Sequence, residues 1–167
     1  TVVGGTAPYI YRWTVGGTTY ETTANTFAHT FTYGSHDVTL DIEDATGATL
    51  GEPVVRGGLV QIKSPVVHVS TTGSGEWPYE TWEKATDDWT LALGAVYAAE
   101  GEKGRVLVAD GTYTRHDSDN LTINLALPVE FCGTNPACGA VFDGEGSYHK
   151  IAALNNAGAL LANLKFI

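Results

Sequence analysis

Methionine is absent from this 167-residue sequence, and basic residues are few: nine Lys and Arg stand against nineteen Asp and Glu, a formal charge of −10. Without a methionine the translation start is expected outside the chain, which reads as a processed form or an excerpt. The basic residues are scattered, so the clustered Lys and Arg that phosphate binding requires are missing. Nucleic acid and anionic membrane surfaces are therefore not expected as partners. No apolar run approaches the length that spans a bilayer, so membrane insertion is not expected either. The sequence has no CxxC pair and no Gly-rich phosphate loop opening a helix, and its five His residues show no ligand spacing. It also offers no Ser, His and Asp constellation on which a catalytic assignment would rest.

What the sequence does hold is β-forming material: Thr, Val, Gly and aromatic residues in quantity, with only 17% charged residues. A chain of this length can form one ordinary domain or two small ones, each with a core. From Thr1 to about Ile62, apolar residues recur with a period of two between Gly and Thr turns, which predicts short strands. Tyr9, Tyr11, Trp13 and Val15 alternate with Ile10, Arg12 and Thr14, and Gly16-Gly17 turns the chain into a strand over 18–23. Phe27, His29 and Phe31 alternate again before a turn expected at Tyr33-Gly34-Ser35. Val38, Leu40 and Ile42 then share a face opposite Thr39, Asp41 and Glu43. Successive short antiparallel strands of this kind predict a β-sandwich.

The stretches GGTAPYIYRW and FTYGSHDVTLDIEDATG resemble a PKD domain, the immunoglobulin-like module of secreted and surface-layer proteins, through Pro8-Tyr9, Trp13, Gly34, His36, Val38, Leu40 and Asp44. The resemblance covers residues 1–64 and implies an Ig-like β-sandwich and a secreted or cell-surface location. Two departures stand out. Trp13-Thr14-Val15-Gly16-Gly17-Thr18 replaces the usual Trp-x-Phe-Gly-Asp-Gly, and the first strand of such a domain is missing ahead of Thr1. A sandwich lacking that strand presents an open edge; an excerpt explains this most simply, and in an assembly a strand from another chain would fill it.

Ser64-Pro65 marks a hinge, because proline interrupts strand pairing, and a second domain is expected over 65–167. After a strand over 66–70 and a Gly, Ser and Pro loop to Tyr79, the spacing of Trp82, Ala85, Trp89, Leu93, Val96 and Tyr97 predicts a helix over 81–99. Thr86 followed by Asp87-Asp88 suits an N-cap, with a break and restart near Thr86, and Gly101 suits a C-cap. Beyond Arg105, short apolar strands recur at 106–109, 121–125, 129–131, 140–142, 151–154 and 160–167, with Asp110-Gly111 and Asp143-Gly144 at matching turns. The ordered series HVSTTGSG, a Trp-bearing loop, a helix, VLVADGTY, VFDGEG and LNNAGALLANLKFI resembles the N-terminal part of a right-handed parallel β-helix of the pectin-lyase-like superfamily. That resemblance implies an all-β chain in which the helix caps the first coils. It also implies a turn at Asn155 or Asn156 where stacked Asn side chains bond into a ladder. The apolar run ending at Ile167 leaves that end of the solenoid without a cap, to be covered by a partner or further chain.

Candidate sites are few. Cys132 and Cys138 bracket a short loop with a turn at Asn135-Pro136; the spacing allows a disulfide, which belongs to an oxidising compartment, and the alternative is a pair of buried thiols. Asp117, Asp119 and Asn120 are a Ca²⁺ candidate, against the alternative of a solvated insertion loop, since the EF-hand Gly and distal Glu are lacking. No other cofactor is called for. Asn120-Leu121-Thr122 matches an N-glycosylation sequon. Trp77, Tyr79 and Trp82 are candidates for carbohydrate contact; for Trp82 and Trp89, two indoles on one face of the expected helix, the alternative is that they cover the end of a core.

These readings lead to a non-catalytic structural or adhesive part of a secreted or cell-surface modular protein. Its incomplete β edges would assemble with other copies of itself, or with further domains of the same protein, into an extracellular filament. The alternative is the N-terminal part of a carbohydrate-active enzyme, a polysaccharide lyase or hydrolase whose catalytic coils lie beyond Ile167. The Asp clusters and Arg base of such enzymes sit on central coils, and none can be placed on this sequence. A carbohydrate-binding module, with polysaccharide as partner, is a third reading.

Overall fold

A computed structural model of the chain describes residues 2, 4–98, 102–114, 123–145, 152–154 and 156–167. The chain divides into two compact units, Thr1–Ile62 and Lys63–Ile167. Both are mostly β, with one short helix in the second.

In the first unit, alternating apolar residues form β1 (Ile10–Val15), β2 (Thr18–Thr22), β3 (Gly34–Glu43) and β4 (Val54–Ile62), an antiparallel sheet in the order β2-β1-β3-β4. Gly16 and Gly17 join β1 to β2 with φ of 55° and 79°, and Val15 pairs with Thr18. A two-residue hairpin turn follows strand twist when both positions are left-handed, a conformation glycine adopts without steric cost. Trp13 lies between Tyr20 and Leu40 in the ladder, while Tyr11 and Val15 face Ile42 and Val38. On the opposite face Arg12 bridges Glu21 at 2.7 Å and Glu43 at 2.5 Å.

The segment 26–32, whose alternation predicts a strand, joins no ladder. Its rings hold it instead. Phe27 stacks on Trp13 at 6.0 Å and lies 5.0 Å from Tyr20, His29 packs against Phe31 at 4.8 Å, and Phe31 meets His36 at 5.1 Å. Among the described residues, one four-stranded sheet covered by an aromatic segment stands where two facing sheets were expected. A period of two decides which way a side chain points, whereas a ladder also needs a neighbouring main chain with free donors and acceptors.

Asp44 anchors the end of β3. Its buried carboxylate accepts hydrogen bonds from Thr46 Oγ1 at 2.6 Å, Thr46 N at 2.8 Å, Thr6 N at 3.0 Å and Ala48 N at 3.2 Å. These bonds, the Thr46 hydroxyl foremost, hold the carboxyl at about 2, below the usual aspartate range. Because the folded value is depressed, the stabilisation is complete above about pH 4 and is lost as the pH falls toward 2. Asp44→Asn should therefore weaken the first unit at neutral pH and flatten its acid limb. Near-ultraviolet circular dichroism during acid titration checks this, and identical acid limbs for both proteins would remove Asp44 as the cause.

The second unit contains β5 (Val66–Val69), α1 (Trp89–Ala95), β6 (Gly104–Val108), β7 (Gly111–Tyr113), β8 (Ile123–Leu125), β9 (Val129–Gly133), β10 (Ala140–Phe142), β11 (Ala152–Leu154), β12 (Leu160–Ala162) and β13 (Leu164–Phe166). Every strand pair here is parallel, in three sheets ordered β12-β9-β6-β5, β13-β10-β7 and β11-β8. The chain visits the sheets in turn, and each pass lies on the one before it: Arg105 beside Glu130, Glu130 beside Leu160, and Thr112, Val141 and Lys165 in one row. Inward residues stack in columns. Tyr113 stacks on Phe142 at 5.3 Å and Phe142 lies 5.7 Å from Phe166, while Val67, Val106 and Phe131 form another fully buried column.

The helix is much shorter than the predicted 81–99. Thr86 pairs in parallel with Val69 and accepts from Ser70 N at 2.8 Å, so its main chain serves the sheet and cannot enter a helix. Asp88 becomes the N-cap, accepting from Thr90 N at 2.8 Å and Leu91 N at 3.4 Å. At the other end Val96 is extended and pairs with Ser64, which stops the helix before the expected Gly101, a residue outside those described. The outer edge of β5 is thus covered by Thr86 and Val96.

Candidate functional site

Polar residues of the second unit are described at the corners between coils, in the loop 71–88 over β5, and on the strands, where Glu130 binds Lys103 at 3.2 Å and Arg105 at 3.5 Å. At the corner, Gly111 N donates to Gly139 O at 2.9 Å, Thr134 N to Val108 O at 2.9 Å, and Asn135 Nδ2 to Asp110 Oδ2 at 2.8 Å. Asp110 therefore ties its turn to the loop of the next coil. Asp143 accepts from Glu145 N at 2.8 Å, which is also turn chemistry. A second inter-coil bond from an Asn side chain comes from Asn163, in left-handed conformation (φ 57°), whose Nδ2 donates to Gly133 O at 3.2 Å. Asn156 closes its own turn by accepting from Gly158 N at 2.8 Å, and Asn155 lies outside the described residues. The Asn-Leu-Lys context of Asn163 carried no turn signal stronger than that of Asn155-Asn156, so sequence reasoning passed over it.

Cys132 and Cys138 are both free thiols in the structure, on either side of a turn in which Cys138 N donates to Asn135 O at 3.0 Å. Burial raises the Cys132 thiol above its ordinary range. Asp117, Asp119 and Asn120 lie outside the described residues, so the Ca²⁺ candidate and the sequon have no structural account. Among the described residues, no group of three or more His, Cys, Asp or Glu is placed to hold a metal ion.

The three carbohydrate-contact candidates separate by depth. Tyr79 is buried at 6% exposure, and desolvation raises its phenol above the ordinary range, so its ring is part of the core. Trp77 is half-buried against that core. Trp82 is 40% exposed, with its ring edge-on to His68 at 4.4 Å. His68, on β5, is itself held: its main-chain N and ring Nδ1 both donate to Tyr79 O, at 2.8 and 3.2 Å. Lys84 binds Glu76 at 2.9 Å and Glu80 at 3.0 Å, which raises its ammonium above the usual range, the Glu76 bond foremost. The Glu83 carboxyl is held below its usual range by its own main-chain N–H, then by the Thr81 hydroxyl. In the first unit, a polar cleft of about 380 Å³ beside the Gly16-Gly17 turn includes Asp37, whose carboxylate is already engaged with Gly58 N at 2.7 Å.

The chain matches no protein-family model, no curated protein and no solved structure.

Proposed function

We propose that the chain is a non-catalytic structural or adhesive part of a secreted or cell-surface modular protein, built as a PKD-type Ig-like module followed by the first coils of a right-handed parallel β-helix. The observation that carries this reading is the parallel stack itself, three sheets built up pass on pass in register. At β5 the edge is covered by Thr86 and Val96, and β12 and β13 lie on the opposite side of the stack. Leu161, Leu164 and Phe166 are only half-buried there, and Leu160 and Ile167 are 45% and 56% exposed. Three-strand passes in register support the β-helix reading, and the order β2-β1-β3-β4 is compatible with one sheet of an Ig-like sandwich.

The apolar residues of β12 and β13 are the seam proposed for another copy. The outer strands of the first sheet are poorer seams: β2 is short and polar, and β4 is interrupted where the register shifts opposite His36 and Val38. Asp110 and Asn163 at the corners each tie one coil to the next through side-chain hydrogen bonds, which supports a scaffold. Sedimentation velocity across a concentration series tests the assembly. Wild type should self-associate, and Leu161→Asp should shift the equilibrium toward monomer. Monomer at every concentration would overturn the assembly reading, and turnover of an acidic polysaccharide by this chain would overturn the non-catalytic one.

A further inference from the structure

We propose that Trp82, held by His68 in the loop over β5, is a binding subsite for one ring of a neutral, hydroxyl-rich sugar. This goes beyond the structural reading and does not depend on it. The second unit has three indoles in different surroundings: Trp89 is 1% exposed, Trp77 is half-buried against the core, and Trp82 is 40% exposed. Single apolar side chains at a surface are ordinary when they move freely. The Trp82 ring instead rests 4.4 Å from an imidazole that is buried and fixed by the Tyr79 carbonyl. Its position is therefore set before any ligand arrives, which lowers the ordering cost of binding. A flat indole face also suits the C–H face of a pyranose.

The surrounding loop chooses the ligand class. Glu76, Glu80 and Glu83 stand close to Trp82 in the sequence against the single ammonium of Lys84, so the loop is acidic. An uncharged ligand suits this acidic loop, whereas a uronate brings like charge to it.

The test is a ¹⁵N titration of the whole chain, following the indole N–H resonances, with cello-, manno- and chito-oligosaccharides and with trigalacturonate. At least one neutral oligosaccharide should shift the Trp82 resonance with saturating, millimolar affinity, leave Trp89 unmoved, and bind at least about tenfold more weakly to Trp82→Ala. Trigalacturonate should produce no shift. No response of Trp82 to any neutral oligosaccharide, equal binding by Trp82→Ala with an unchanged thermal midpoint, or preference for trigalacturonate would overturn the proposal.

Discussion

Trp89→Ala is expected to destabilise the Lys63–Ile167 unit by about 3–5 kcal/mol, enough to unfold a marginal domain. Trp89 opens α1, is 1% exposed, and meets Phe142 edge-on at 5.3 Å. Phe142 in turn touches Tyr113, Phe131 and Phe166, so it connects inward columns from successive passes. Truncating Trp89 leaves a cavity where the covering helix meets that network, and a helix of seven residues has little stability of its own with which to close it. Trp89→Phe should cost clearly less. The indole Nε1 is buried with no hydrogen-bond partner, so replacing it forfeits no bond and removes a desolvated donor. Urea unfolding of the two variants provides the comparison. Equal losses would mean that the indole nitrogen is engaged after all, and a loss below about 1 kcal/mol for Ala would mean that α1 does not close the core.

Gly133→Ala is expected to cost about 1–3 kcal/mol, with the damage concentrated in the last pass of the stack. An added Cβ at Gly133 would fall inside the contact surface of the Asn163 carbonyl oxygen and 3.4 Å from Ala140 Cβ. The chief obstruction is main chain, which cannot rotate away as a side chain can. The same substitution pushes against the Asn163 Nδ2 to Gly133 O bond that ties β9 to the turn between β12 and β13. Hydrogen exchange should therefore show lost protection over Leu160–Phe166 and little change in β5 and β6. Uniform loss across the unit would mean that the passes unfold as one, and no loss would mean that the corner has room the geometry denies it.

The strands of both units are largely legible in the residues. Val106 and Val108, Phe131 and Gly133, and Ala140 and Phe142 alternate between turn residues, and the strands lie where those patterns put them. The Asp143-Gly144 turn was equally legible, because a carboxylate two residues from a main-chain N–H is a local arrangement, whereas the bond of Asp110 to Asn135 was not. The helix was not. Trp82, Ala85 and Trp89 keep helical spacing, yet Ala85 and Thr86 lie against β5 because main-chain bonds to Ser70 and His68 are available there. Phe27, His29 and Phe31 show the converse, strand spacing without a ladder.

The candidate site was legible only as a set of residue types. Trp77, Tyr79 and Trp82 carry similar aromatic signals within one loop, and nothing in their spacing orders them by depth. Burial sorts them, because Tyr79 lies under the loop with its carbonyl taken up by His68, while Trp82 is left outside against the imidazole.

By itself, the sequence determined the local terms: the period of two, the Gly16-Gly17 hairpin, the Asp turns, the acidic charge and the apolar residues available for a core. Those depend on neighbours along the chain. The tertiary structure alone decided which main chains pair, where α1 starts and stops, that Asn163 ties one coil to the next, and which indole meets solvent. Each of these turns on a partner distant in sequence, whose donors, acceptors or volume override local preference once it is brought alongside.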